Sequence, residues 1–376
     1  MLAARTVEMQ EASRGVEPPE TVEEQVVHDP PPVARKVTIR DIALRAGVSK
    51  SAVSYALNGL PGVSDDTRDR ITAIARELGW HPNRAARALS GARADACGLV
   101  LARPAKTLAL EPYFMEFIAG VESVLSERLT ALTIQLVDDV NAEIEVYRRW
   151  WSETRVDGVL LVDLRQEDPR VAELIRLGLP VVVVGGPVAG LPSVWHDEAS
   201  AVVEVVQYLA ALGHTRIARL AGVADFVHTA QRTEAFRGIA RELSLDVQVL
   251  ETDYTVESGA RATRRLLSSR DLPTAIICDS DVLAVTALGV VQQMGWSVPD
   301  DVSIVGWDDS LISRVVHPPL TAVTRDIEEF GAAATRHLLA AIHGGANGAV
   351  EAPAAELTPR GSTARARVAV AGRTRA

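Results

Sequence analysis

Two textures of apolar and polar positions divide the chain. Between Val37 and Gly79, short apolar stripes recur at helical spacing, each bounded by a capping residue or a glycine. Thr38-Ile39-Arg40-Asp41 has the form of a capping box, and Ile39, Ile42, Ala43 and Ala46 make one stripe before Gly47 ends it. Ser49 can cap a second helix, with Ala52, Val53, Ala56 and Leu57 inward and Lys50, Ser51, Ser54 and Tyr55 outward. A third helix starts at Ser64, carries Ile71, Ile74, Ala75 and Leu78, and stops at Gly79. Val48, Val53, Ile71 and Leu78 are expected to close a small core. Two short helices joined by a tight glycine turn predict a helix-turn-helix, whose second helix is the size of a DNA major groove.

From Cys97 the period changes. Apolar runs near 97–103, 132–137, 158–163, 180–184, 216–221, 247–252, 274–278 and 302–306 read as strands. Amphipathic stretches such as 114–128, 142–154, 199–212, 231–243, 257–269 and 281–294 separate them. Near-continuous apolar strands spaced by helices predict parallel sheets covered on both faces. About ten strands exceed one convenient sheet, which predicts two α/β lobes. Ligands of open α/β sheets bind beyond the carboxyl ends of the strands, so a small-molecule site is expected between the lobes.

Between these regions His81-Pro82-Asn83 breaks the chain, and residues 84–90 read as a helical segment too short to be stable alone in water. Such a segment can fold on meeting a partner. Residues 1–35, rich in proline and acids and without apolar periodicity, read as a disordered tail.

Length and charge sharpen the division. A chain of 376 residues suggests two or three domains, and 47% apolar with 23% charged residues is the balance of a soluble globular protein. The net charge of −10 argues against a protein that coats nucleic acid along its whole length. The charge is uneven, however: residues 36–95 hold ten basic and six acidic side chains, while 1–35 are net −4 and 96–376 net −10. A basic module of this kind suits phosphate, although a solvated helical surface looks similar. Cys97 and Cys278 sit in apolar runs and exclude a disulfide framework or a Cys-rich zinc site. No membrane span and no signal peptide is read, so a cytoplasmic protein is expected.

The run VTIRDIALRAGVSKSAVSYALNGLPGVSDDTRDRITAIARELGWHPNRAARALSG closely resembles the DNA-binding head of LacI-family transcriptional regulators. The segments LAALGHTRIARLAG, RTEAFRGI, PTAIICDSD, VPDDVSIVGWDDS and HPPLTAV resemble that family's periplasmic-binding-protein-like effector domain. The resemblance spans roughly residues 37–363. It implies an all-α helix-turn-helix head plus an α/β body of two Rossmann-like parallel-sheet lobes. The expected boundaries are a tail over 1–35, the head over 36–82, a hinge helix and linker over 83–95, the body over 96–363 and a C-terminal tail over 364–376.

The resemblance also implies roles. Lys50, Ser51 and Tyr55 take the positions that read base edges. Thr38, Ser49, Ser54, Asn58 and Thr67 take positions that contact phosphates or brace the helix, and Thr38 and Ser49 are equally read as plain caps. Asn83 opens the hinge, where Ala86 and Leu89 match the pair whose leucine wedges into a minor-groove step. In the body Arg232 matches an arginine that grips effector hydroxyls or a carboxylate, and Asp308 an acid that hydrogen-bonds the effector. Tyr254 matches an aromatic packed on its face, Tyr113 and Phe114 a pair at the cleft mouth, and Asp197 an acid near the lobe crossover. The family often has Asn where this chain has Ser280, whose shorter reach leaves the effector's size and pose open. Asp309 is read as a cap.

The eight histidines lack metal-ligand spacing, Gly185-Gly186-Pro187 lacks a nucleotide-loop context, and no G-x-S-x-G elbow occurs. No catalysis, cofactor or metal is required. The expected function is a ligand-responsive transcription factor, a homodimer on pseudo-palindromic double-stranded operator DNA, with no membrane partner. A solute-binding protein or a sugar enzyme would share the body but not the head. A sugar effector is implied by the family, while a nucleobase or sugar phosphate stays open. So does the sign of the response.

Overall fold

A computed structural model describes residues 37–80, 93–103, 108, 111–345 and 348–367. The predicted hinge, with Asn83, Ala86 and Leu89, lies outside the described residues, as does the tail over 1–35. The chain divides into two units, Met1–Pro82 and Asn83–Ala376.

The first unit holds α1 (Ile39–Ala46), α2 (Lys50–Leu57) and α3 (Asp65–Glu77). The Asp41 carboxylate accepts from the Thr38 N–H at 2.8 Å and from its hydroxyl at 2.6 Å, closing the start of α1. Gly47 follows at φ +66°, where a Cβ is disfavoured, and turns the chain into α2. Ser49 Oγ accepts the Ala52 N–H at 3.1 Å, so α2 begins where the capping signal sets it. Ile42, Val53 and Ile71 meet fully buried, with Val48 and Leu78 packed at the rim. Arg68 of α3 donates to the carbonyls of Ala56 at 3.0 Å and Leu60 at 2.9 Å, satisfying the open end of α2.

The second unit holds two lobes, each on a six-stranded sheet. Lobe 1 contains β1 (Ala96–Leu101), β2 (Ala131–Leu136), β3 (Gly158–Leu161), β4 (Val181–Val184), β5 (Ser193–Trp195) and β11 (Ala349–Glu351). Their spatial order is β11-β5-β4-β3-β1-β2, all parallel. Lobe 2 contains β6 (Arg216–Ala221), β7 (Asp246–Glu251), β8 (Ala275–Cys278), β9 (Ser303–Asp308), β10 (Thr321–Thr324) and β12 (Glu356–Thr358). The order repeats as β12-β10-β9-β8-β6-β7, with only β12 antiparallel. The central strands β3, β4 and β8 are apolar and buried throughout because helices cover both faces, whereas the edge strands β2 and β7 are only partly buried. β5, β11 and β12 span three residues each, too few for any periodicity to reveal them.

The chain passes between lobes three times: from β5 into α7 (Glu198–Ala211), from β10 into α12 (Ile327–Ile342), and from β11 to β12. α12 leaves lobe 2 and packs in lobe 1 against α4 (Pro112–Glu127). A Cβ on Gly120 would lie 1.8 Å from the Glu328 carbonyl oxygen, and one on Gly331 2.2 Å from that of Phe117. The two helices therefore cross backbone to backbone, which fixes the second crossover to lobe 1. Opposite the crossovers the lobes also touch, with the Val227 N–H on the Leu164 carbonyl at 2.8 Å and the Gln166 N–H on that of Asp225 at 2.9 Å.

One boundary moves. The C-terminal tail was expected from 364, yet the Ala364 N–H donates to Ser303 Oγ at 3.1 Å and the Ala366 N–H to the Leu212 carbonyl at 2.9 Å. Backbone donors satisfied by lobe 2 hold the chain to the body as far as these residues.

Candidate functional site

On the first unit, α2 presents Lys50 and Ser51 to solvent and Tyr55 at 46% exposure. Its inward face is spent on Val53 and Ala56, so these three side chains are free to meet a groove. Ser54 Oγ accepts from Asn58 Nδ2 at 3.3 Å, and Thr67 Oγ1 lies 2.9 Å from Ser64 Oγ. These residues brace helix ends, and Thr38 and Ser49 act as caps.

On the second unit, about 640 Å³ of space, part of it open to solvent, lies between the lobes. Its lining residues sit at strand carboxyl ends, at crossovers or in the first two turns of helices, as open α/β sheets dictate. Lobe 1 supplies Arg103, Glu111, Tyr113, Phe114, Val162, Asp163, Val184, Gly185 and Phe330. The crossovers supply His196, Glu198 and Arg325, and lobe 2 supplies His228, Arg232, Tyr254, Asp279, Ser280 and Asp308. Here α8 (Val227–Glu242) carries His228 and Arg232, while Ser280 caps α10 (Asp281–Gln293).

The charged groups form one buried chain. Arg219 in β6 forks onto Asp279 at 2.7 and 2.6 Å. Arg232 donates to the Asp279 carbonyl at 3.2 Å and to Glu198 Oε2 at 2.7 Å, its guanidinium lying 4.2 Å over the Trp307 ring. Glu198 Oε1 accepts from Arg325 at 2.8 Å, and Arg325 Nε donates to Asp308 Oδ1 at 2.9 Å. Burial alone would push the Glu198 carboxyl up, but Arg232 and Arg325 hold it well below the usual carboxylate range. Burial also costs the guanidiniums, and their carboxylate partners outweigh it, holding Arg232 and Arg325 firmly charged.

A second group faces the first from lobe 1. Arg103 forks onto Asp163 at 2.6 and 2.8 Å, and its guanidinium lies 5.0 to 5.3 Å from the rings of Phe114, Phe226 and Tyr254. Tyr113 stacks on Phe117 and meets Phe114 edge-on. His228 Nε2 is 3.0 Å from the Tyr254 hydroxyl, and burial with the Arg232 charge lowers His228 to about 4, so its ring is neutral at pH 7. Burial and Arg325 lower His196 equally, to about 4. Burial raises Glu111 to about 7 against the pull of Arg103, with Asp308 and Asp163 adding to the rise. Glu111 Oε2 is buried without a hydrogen-bond partner among the described residues.

Three lining residues other than glycine take the left-handed backbone region: Asp163 at φ +51°, Tyr254 at +65° and Asp308 at +82°. Such conformations persist where the surroundings over-determine them, and they cluster at sites that must aim a side chain. Gly222 makes room for one of them, since a Cβ there would lie 2.0 Å from the Tyr254 hydroxyl.

Six of the seven predicted cleft residues line the space: Tyr113, Phe114, Arg232, Tyr254, Ser280 and Asp308. Asp197 does not. Its carboxylate caps α7, accepting from the Ala199 and Ser200 N–H groups at 3.1 Å, and the crossover acid that faces the cleft is its neighbour Glu198. Ser280 does line the cleft, but its hydroxyl accepts the Leu283 N–H at 3.3 Å as the α10 cap. Asp309 is held by Arg360, Ser313 and Thr324, away from the cleft. Sequence reasoning missed Arg103, Glu111, Asp163, His196, Glu198, His228 and Arg325. Most of these follow directly on strand ends or precede helices, a positional signal that would have found them.

Comparison with known proteins joins the two units. The profile described as bacterial regulatory proteins, lacI family, matches residues 38–83, and the periplasmic binding protein-like domain matches 206–363. The HTH-type transcriptional regulator CelR of Thermobifida fusca is 34% identical over 318 residues, covering 82% of this chain and 93% of that protein. A solved transcriptional regulator CelR–cellobiose complex superposes with a TM-score of 0.64 at 31% identity, over 87% of this chain and all of that one. A lac repressor dimer bound to operator and the anti-inducer ONPF gives a TM-score of 0.75 at 26% identity, over 88% of this chain and all of that one. The likeness thus runs along most of these proteins' length, and two family profiles cover the helix-turn-helix and most of the second lobe. The chain belongs to the LacI family of bacterial regulatory proteins.

Proposed function

We propose that this chain is a transcriptional repressor whose operator affinity is set by a sugar held between its two lobes. The observation that carries the reading is the buried cleft, where charged and aromatic side chains from both lobes meet groups on two crossovers. Planar polar groups beside aromatic faces suit hydroxyls and sugar rings, and a ligand there bears on the segments that set lobe orientation. In this reading Arg232, Asp308, Glu198, Arg325 and Glu111 meet effector hydroxyls, and Tyr113, Phe114 and Tyr254 meet its apolar faces. Asp163 positions Arg103.

The protein acts as a homodimer on a pseudo-palindromic operator, because one head of this size offers too few base contacts for useful specificity. Lys50, Ser51 and Tyr55 read bases, while Thr38, Ser49, Ser54, Asn58 and Thr67 contact phosphate or brace the helices. Asn83, Ala86 and Leu89 form the hinge, with Leu89 as the minor-groove wedge. The protein carries no catalytic role and acts in the cytoplasm. The cellobiose held by a relative makes glucose oligosaccharides the first candidate effectors. Binding-site selection followed by gel shift with cellobiose and a panel of sugars tests the reading. A selected palindrome whose affinity changes with one of these sugars supports it, and an operator indifferent to all of them contradicts it.

A further inference from the structure

The charge inventory of the cleft bears on what kind of effector it accepts. Three guanidiniums line it among the described residues, and each is already engaged by a carboxylate. Five carboxyls line the same space. Counting Arg219 behind Asp279, carboxyls outnumber guanidiniums by one, that one being Glu111, which burial raises to about 7, and the two lining histidines are neutral. Glu111 is 6% exposed, with one oxygen unpartnered among the described residues. An anion entering here meets no guanidinium whose charge is not already balanced by a carboxylate, so it brings uncompensated negative charge beside carboxylates in a low-dielectric space. Hydroxyls meet the opposite situation, since carboxylate oxygens accept their protons and the outer guanidinium N–H groups donate to their lone pairs.

We infer that the cleft selects an uncharged, hydroxyl-rich ligand that donates a hydroxyl to Glu111, and rejects the phosphorylated or carboxylated forms of that ligand. The inference rests on the cleft being the effector site. Glu198 is the selectivity element. One carboxylate bridges Arg232 and Arg325, filling the place a phosphate would otherwise take.

The test uses the full chain and matched sugars: glucose, galactose, mannose and cellobiose beside their phosphates and uronic or aldonic acids. Binding is followed by calorimetry and thermal shift. The neutral member of one set should bind at least roughly 100-fold tighter than its anionic partners. A second arm uses inorganic phosphate against chloride at equal ionic strength. Phosphate should leave wild-type melting unchanged and raise that of Glu198→Ala, by filling the vacated bridge. An anionic sugar that binds as tightly as its neutral form, or phosphate that stabilises the wild type in competition with a neutral sugar, overturns the inference and leaves the effector cleft standing. Failure of every sugar, neutral and anionic alike, removes the sugar reading and this inference together.

Discussion

The outward face of α2 and the cleft between the lobes hold their polar side chains in opposite ways. On α2 the side chains proposed to meet DNA are exposed, and the fold below them is closed by an apolar core centred on Ile42, Val53 and Ile71. In the cleft the polar side chains are buried and, Glu111 aside, mostly bonded to one another, so the cleft wall and its supporting structure share atoms. A reading surface of the first kind can change its side chains without disturbing the fold. A cleft of the second kind cannot. In the proposed function, ligand entry there exchanges one set of buried hydrogen bonds for another, and that exchange couples occupancy to lobe geometry.

The largest test of that contrast is Arg232→Ala. It strips Glu198 and Asp279 of a buried partner, and breaking such a pair by one side costs about 3–5 kcal/mol. Denaturant unfolding of the full chain should show that loss in the body's transition, with effector binding abolished. A stability within error of wild type would make the ion chain decorative. Tyr55→Ala should do the reverse. It should leave unfolding nearly unchanged yet weaken operator binding by about 1–3 kcal/mol with relaxed base preference. Thr67→Ala should weaken all sequences alike, and a site-selection experiment on both variants separates the two roles.

The smallest effect is a slope. Burial raises Glu111 to about 7, above its unfolded value of 4.5, so the folded state binds its proton more tightly. Its contribution to stability is therefore full below pH 4.5 and is lost as pH rises through 7. His196 and His228, lowered to about 4, act oppositely, with stability lost as pH falls from 6.5 towards 4. The difference between wild type and Glu111→Gln isolates the acid. The variant should gain stability relative to wild type between about pH 5 and 7, and parallel curves would show that Glu111 is not held neutral.

The contrast also explains what the sequence made legible. The head is written locally: Thr38 with Asp41, Gly47, Ser49 and the stripe of Ile71, Ala75 and Leu78 lie within a few turns of each other, so pattern alone yields fold and surface. The cleft draws on residues from Arg103 to Phe330. Arg232, Tyr254 and Asp308 were reached through family resemblance, not through periodicity. Asp197 came from the same resemblance, as an acid near the lobe crossover. Asp197 followed by Ser200 is in fact a helix start, which leaves the next acid, at the first helical position, to face the site. At the second crossover Asp326 caps the helix in the same way, and there the residue before the cap, Arg325, faces the cleft. Arg103 with Asp163 became visible only once parallel pairing set β1 beside β3.

The central claim is that occupancy of the cleft sets operator affinity. It is tested most directly by titrating operator binding with the effector for wild type and Asp308→Asn, an exchange that keeps shape while removing one charge from the Arg325 pair. Coupling of about 1–3 kcal/mol, or 5–150-fold, is expected for the wild type. In Asp308→Asn the effector-free affinity should hold while the response collapses; an undiminished response would contradict the claim.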